Sequence, residues 1–177
     1  MKKYNLNPSE ELLKKLRPGF INRENYITSI TSIPRPSHDI FPLVKYNGKE
    51  GILLITRKYE PAKDMIWCLG GRHQRGYLMR DSLAELVKKE CNLELYDILC
   101  LSREPIDLFW DKDPFNHGKG VHDTCTPYFA RTRGDIQLNK SHSNPLIITP
   151  LEFAEIKNDL HWYVKENTQK ALEIAFK

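Results

Sequence analysis

The chain has 177 residues, 27 basic and 23 acidic, for a net charge of +4, and 40% of its residues are hydrophobic. That size suits one domain with a sizeable core, and the composition excludes intrinsic disorder. No apolar run approaches the ~20 residues of a membrane span, the opening stretch lacks the apolar centre of a signal peptide, and +4 is too mild to mark a nucleic-acid binder. Cys68, Cys91, Cys100 and Cys125 include no Cys-x-x-Cys pair. They read as reduced, mostly buried thiols of a cytoplasmic protein, with no nucleic-acid or membrane partner.

In chain order, Asn7-Pro8-Ser9-Glu10-Glu11 opens a short helix whose stripe is Leu12, Leu13 and Leu16, and Arg17-Pro18-Gly19 stops it. A second helix is expected over Arg23–Ile30, and Pro34 and Pro36 enforce an extended connection after it. Asp39–Tyr46 and Gly51–Arg57 read as strands joined by the Asn47-Gly48 hairpin signal. Ile52-Leu53-Leu54-Ile55 is apolar on both faces, as in a central strand. Ile66–Leu69 then leads into Gly70-Gly71. Ser82–Cys91 is helical, with Ser82 and Glu85 spaced as a capping box. Strands follow around Asp97–Ser102, Ile106–Trp110 and Cys125–Arg133. The polar loop 111–123 between the last two carries Gly118, Lys119 and Gly120 as candidate substrate contacts, and His117, His122 and Asp123 match no metal-ligand spacing. Leu146–Ile148 forms a short strand, Thr149-Pro150 starts a helix, and Tyr163–Phe176 forms the last one. The expected layout is a helical extension over 1–20 and an α/β domain over 21–177.

The informative stretch is Gly70-Gly71-Arg72-His73-Gln74-Arg75-Gly76-Tyr77 and the helix after it. On a helical wheel Leu83, Leu86, Val87 and Cys91 face inward, and Glu90, seven residues after Leu83, shares their sector. Two readings stay open at this point. Glu90 is buried and must meet a metal, a cation or donors, or it is partly exposed and paired with a nearby lysine or arginine.

Laid on Gly71, the stretch resembles the Nudix box, in which a glycine, five residues, an acid and seven residues precede Arg-Glu-x-x-Glu-Glu-x-Gly. Gly71 and Glu90 match; Tyr77, Glu85, Leu86, Lys89 and Asn92 depart. Gly-Gly-Arg-x-Gln, Gly70 to Gln74, is similar to the variant box of the GDP-mannose mannosyl hydrolases. Asn22–Tyr26, Ser37-His38-Asp39, Leu53–Pro61, His142, Asp159–His161 and Asn167–Ala171 resemble further pieces of that family, so the likeness spans residues 22–175.

The resemblance implies a Nudix-type α/β/α sandwich with a mixed sheet, an added N-terminal helix and a homodimeric assembly. It implies a Mg²⁺ (or Mn²⁺) ion held by Glu90 and the Gly70 carbonyl, with Arg57 and Arg72 on the phosphate side. Asp39 becomes an acid near the leaving group or sugar, and His142 the general base. The implied reaction is hydrolysis of a nucleotide sugar such as GDP-mannose at sugar C1, releasing the nucleoside diphosphate intact. Where the family has a glutamine metal ligand this chain has Ser141. Two alternatives follow from the departures: a non-catalytic nucleotide-binding module, and a pyrophosphohydrolase attacking phosphorus, whose additional metals Leu86 and Lys89 would not hold.

Overall fold

The computed structural model describes residues 8–17, 21–113, 115, 118–140 and 142–177. Asn7, Pro18-Gly19, His117 and Ser141 lie outside the described residues. The elements are α1 (Glu10–Leu16), α2 (Arg23–Ser32), β1 (Arg35–Tyr46), β2 (Lys49–Arg57), β3 (Ile66–Trp67), β4 (Leu69–Arg72), α3 (Met79–Cys91), β5 (Glu94–Cys100), β6 (Ile106–Trp110), β7 (Val121–Arg133), β8 (His142–Ile148), α4 (Pro150–Ile156) and α5 (Trp162–Ala175).

Among the described residues eight strands form one mixed sheet with the path β3-β2-β1-β7-β5, while β4 joins β1, β6 joins β7 and β8 joins β2. The long strand β1 organises it. Its first half pairs antiparallel with β4, its last residues pair antiparallel with β2, and β7 runs parallel beside it from Arg35 to Leu43. Pro36 lies inside this strand, and its carbonyl accepts from the His73 amide at 3.0 Å. Asn47 and Gly48 take positive φ values of 49° and 78°, as a two-residue hairpin turn requires.

Consecutive β1 residues point to opposite faces, and this separates the two helical layers. His38 meets Ser82 of α3, while Asp39 faces the side of Tyr163 in α5. The layered α/β/α arrangement with a mixed sheet is therefore as expected. The apolar run Ile52–Ile55 is fully buried, with Phe41, Leu83, Val87, Phe129 and Val164 completing the core around it. No described helix is long and apolar enough to cross a membrane.

One expectation at α3 is corrected. The helix starts at Met79, so Ser82 lies inside it and caps nothing, and the N-cap Leu78 offers no side-chain bond. The Ser82 hydroxyl instead sits 2.9 Å from His38 Nε2 and accepts from the Gln74 amide at 3.0 Å, tying helix, loop and sheet together. A capping box does form at α4, between Thr149 and Glu152. At the other end of the chain α1 lies against the loop before α3. A Cβ on Gly76 would come within 2.7 Å of the Arg17 amide nitrogen, and the Arg17 guanidinium rests 4.2 Å over the Tyr77 ring.

Burial depresses the His38 pKa from 6.5 to about 4, assisted by the neighbouring His73. The imidazole is neutral in the fold, so the unfolded chain binds the extra proton between those values. The stability it contributes is complete above about pH 6.5 and is lost as pH falls towards 4, by about 3 kcal/mol. His38→Gln keeps a polar reach to Ser82 without a charge. Urea unfolding at about pH 7 and pH 5 should show a smaller acid loss in this variant than in wild type.

Candidate active site

The alternation that sends His38 towards α3 sends Arg35, Ser37 and Asp39 to the other face in one row. There they line a cleft of about 80 Å³ together with Arg57 of β2, Gly70 and Gly71 of β4, Trp110 of β6 and Asp123 of β7. Asp39 is 6% exposed. Burial lifts its carboxyl to about 6, against the opposing pull of Arg57 and hydrogen bonds from Cys125 and Cys68, with Asp123 adding repulsion. Those thiols are themselves pushed up by burial and stay protonated, and Cys125 Sγ lies 3.2 Å from the Tyr163 hydroxyl.

Gly70 is the register partner of Asp39. A Cβ there would lie 1.8 Å from Asp39 Oδ1 and 2.9 Å from the His38 carbonyl oxygen, so only glycine leaves room for the carboxyl. Gly70→Ala is expected to cost about 1–3 kcal/mol through overpacking and to push Asp39 out of its place. Urea unfolding measures the first effect and a crystal structure of the variant the second.

The second part of the site is a pair. Glu90 Oε2 lies 3.0 Å from His142 Nε2, with the side chains 18% and 8% exposed. Glu90 falls between its two readings: it is partly exposed, and its partner is a histidine rather than a lysine or arginine. The segment before β8 is tied to the end of α3, where helix carbonyls lack intrahelical partners: Asn139 donates to the Glu90 carbonyl at 2.8 Å and Gln137 to that of Cys91 at 3.0 Å. Asn92 closes the helix in the left-handed region, with φ 60°. His142 is also the register partner, across β2 and β8, of Arg57, which lines the cleft. With Nε2 facing the carboxylate, Nδ1 is buried and has no hydrogen-bond partner among the described residues.

The structure thus gathers Asp39, Arg57 and Gly70 in the cleft, and brings Glu90 and His142 together as a pair outside its lining. Arg72 stands apart: its guanidinium lies 5.3 Å over the Tyr26 ring and does not line the cleft. Lys119, Gly120 and His122 line a different hollow at the end of α2. His122 is engaged by Asp107 at 3.1 Å and stacks on Phe109. Sequence reasoning missed Arg35, and it placed Asp123 on the polar loop where the structure has it in β7. Arg35 Nε and Nη2 donate to the two Asp123 oxygens at 2.5 and 2.7 Å, and Nη1 donates to the Tyr26 hydroxyl at 3.2 Å. The available signal was the i, i+2, i+4 spacing of Arg35, Ser37 and Asp39 in an extended segment.

Among the described residues no three His, Cys, Asp or Glu side chains gather as a metal cluster. Leu86 packs against Gly71 and Lys89 is exposed, so α3 turns a single carboxylate inward. A lone carboxylate is a donor suited to a hydrated divalent ion, which commonly keeps waters and uses substrate phosphates, and not to a multi-metal cluster.

No family model and no curated protein matches this sequence. Solved structures do. An Ap4A hydrolase from C. elegans, in a binary complex, shares 18% identity at a TM-score of 0.54, covering 80% of this chain and 97% of that one. A MutT NUDIX hydrolase from Burkholderia pseudomallei shares 20% at 0.54, covering 80% and 98%. The NUDIX domain of Shewanella oneidensis NrtR, complexed with ADP ribose, shares 13% at 0.56, covering 88% and 99%. This chain has the Nudix fold. Within the Nudix fold of this chain, Glu90 stands on α3 and the cleft opens along β1, β4 and β7.

Proposed function

We propose that this chain hydrolyses a nucleoside diphosphate derivative, cleaving at the diphosphate linkage. The observation that carries this reading is the Glu90–His142 hydrogen bond, whose histidine is the strand partner of Arg57 in the Asp39–Arg57 cleft. The Nudix fold supports it, since similar solved structures include an Ap4A hydrolase and a domain complexed with ADP ribose.

Each residue has a defined task. Glu90 accepts from His142 Nε2–H, which fixes the imidazole tautomer and leaves Nδ1 to take a proton from the attacking water. The Arg57 guanidinium faces the phosphate oxygens, where its planar fork neutralises developing charge. Asp39, whose carboxyl burial lifts to about 6, gives its proton to the leaving oxygen. A divalent ion such as Mg²⁺, held by Glu90 and the Gly70 carbonyl, would supply further charge neutralisation at the diphosphate.

A second reading, substitution at sugar C1 of a nucleotide sugar such as GDP-mannose, is favoured by the single inward carboxylate of α3. In that reaction the diphosphate leaves intact and one cation suffices. Incubation with GDP-mannose, ADP-ribose and diadenosine tetraphosphate, with Mg²⁺ or Mn²⁺, separates the readings by chromatography of the products. We expect GMP and a sugar phosphate from GDP-mannose. GDP and free mannose would replace the first reading by the second. Tight binding without turnover would make the chain a non-catalytic nucleotide module and overturn both.

A further inference from the structure

We propose that Arg35 is the second anion-binding guanidinium of the cleft, with Asp123 and Tyr26 as its positioning partners. This rests on reading the cleft as a site for a diphosphate. Arg35 lies four residues from Asp39 in the same β1 row and opens onto the same cavity as Arg57. A guanidinium carries five N–H groups in a rigid fork, and the bonds to Asp123 and Tyr26 use three of them. Those bonds lock the fork before any ligand arrives, which lowers the ordering cost of binding. The side chain is 15% exposed, so a group bound there meets a partly desolvated cation, where charge-assisted hydrogen bonds are strongest.

The size of the cavity narrows the ligand. Whole-ligand pockets run to about 300–1,000 Å³, whereas this one is about 80 Å³. It takes a phosphoryl group between Arg35 and Arg57 and leaves the rest of the molecule outside. Arg72 cannot share the task from its position over Tyr26. The same tyrosine that supports Arg72 hydrogen-bonds Arg35, so α2 places both guanidiniums but only one in the cleft.

Calorimetric titration with inorganic pyrophosphate tests the assignment. Arg35→Lys keeps the charge opposite Asp123 but loses the fork, and should weaken pyrophosphate by about tenfold or more. Arg35→Ala combined with Asp123→Ala removes both charges, leaves none unpaired, and should lose binding equally while retaining the wild-type circular dichroism spectrum. Arg72→Ala should cost about twofold at most. Wild-type affinity in either Arg35 variant, or no pyrophosphate binding by wild type, overturns the proposal. Arg35-dependent pyrophosphate binding without turnover of any nucleotide leaves it standing and overturns the hydrolase reading alone.

Discussion

His142→Ala lowers kcat by about 10²–10⁴-fold, the range for losing a positioned general base, while ligand affinity and the melting temperature stay close to wild type. The expectation follows from three facts. The imidazole is held by the Glu90 carboxylate, its other nitrogen is buried without a partner among the described residues, and its strand neighbour Arg57 lines the cleft. Glu90→Gln preserves the size of the side chain but no longer demands a donor from Nε2, so the tautomer is released and kcat should fall as well. Because Glu90 acts partly through His142 and is also assigned the divalent ion, the double variant should be worse than His142→Ala but by less than the product of the two single losses. Additive losses would mean that Glu90 acts only elsewhere. Steady-state kcat and KM for the four proteins decide between these outcomes.

Asp39→Asn should move activity and stability in opposite directions. Losing the proton donor lowers kcat by about 10²-fold or more. Stability behaves otherwise, because burial raises this carboxyl from 3.8 to about 6. The folded state then holds its proton more tightly than the unfolded chain. Stability is greatest below the unfolded value and is lost as pH rises from about 4 through 6, by about 3 kcal/mol in total. Asparagine carries no such penalty. The urea midpoint of the variant minus that of wild type should therefore be larger at about pH 8 than at about pH 5, the difference cancelling the opposite contribution of His38. Arg57, left without its counter-charge, reduces the gain without reversing it.

The elements legible in the sequence are those governed by local rules. The run Ile52–Ile55 had to be central because it is apolar on both faces, and the Asn47-Gly48 turn had to be a hairpin because both residues accept positive φ. The inward sector of Glu90 was legible from helical spacing, and so was the need for a partner. What was not legible was the partner itself, since His142 comes from a strand 52 residues later. Ser82 misled for a related reason: a serine three residues before a glutamate reads as a cap, yet its hydroxyl is taken by His38, 44 residues away. Arg35 hid behind two prolines that mark extended chain, and the parallel pairing of β1 with β7 that gives it Asp123 spans 88 residues. Long-range pairing of this kind leaves no local periodicity to read.

The most direct test of cleavage at the diphosphate is hydrolysis of a nucleoside diphosphate sugar by the wild-type protein in ¹⁸O-enriched water, with products examined by mass spectrometry. Attack on phosphorus places the label in a phosphate of the products and none in the sugar hydroxyl, which is the predicted result. Label at the C1 hydroxyl of a free sugar, or no incorporation into any product, would contradict it.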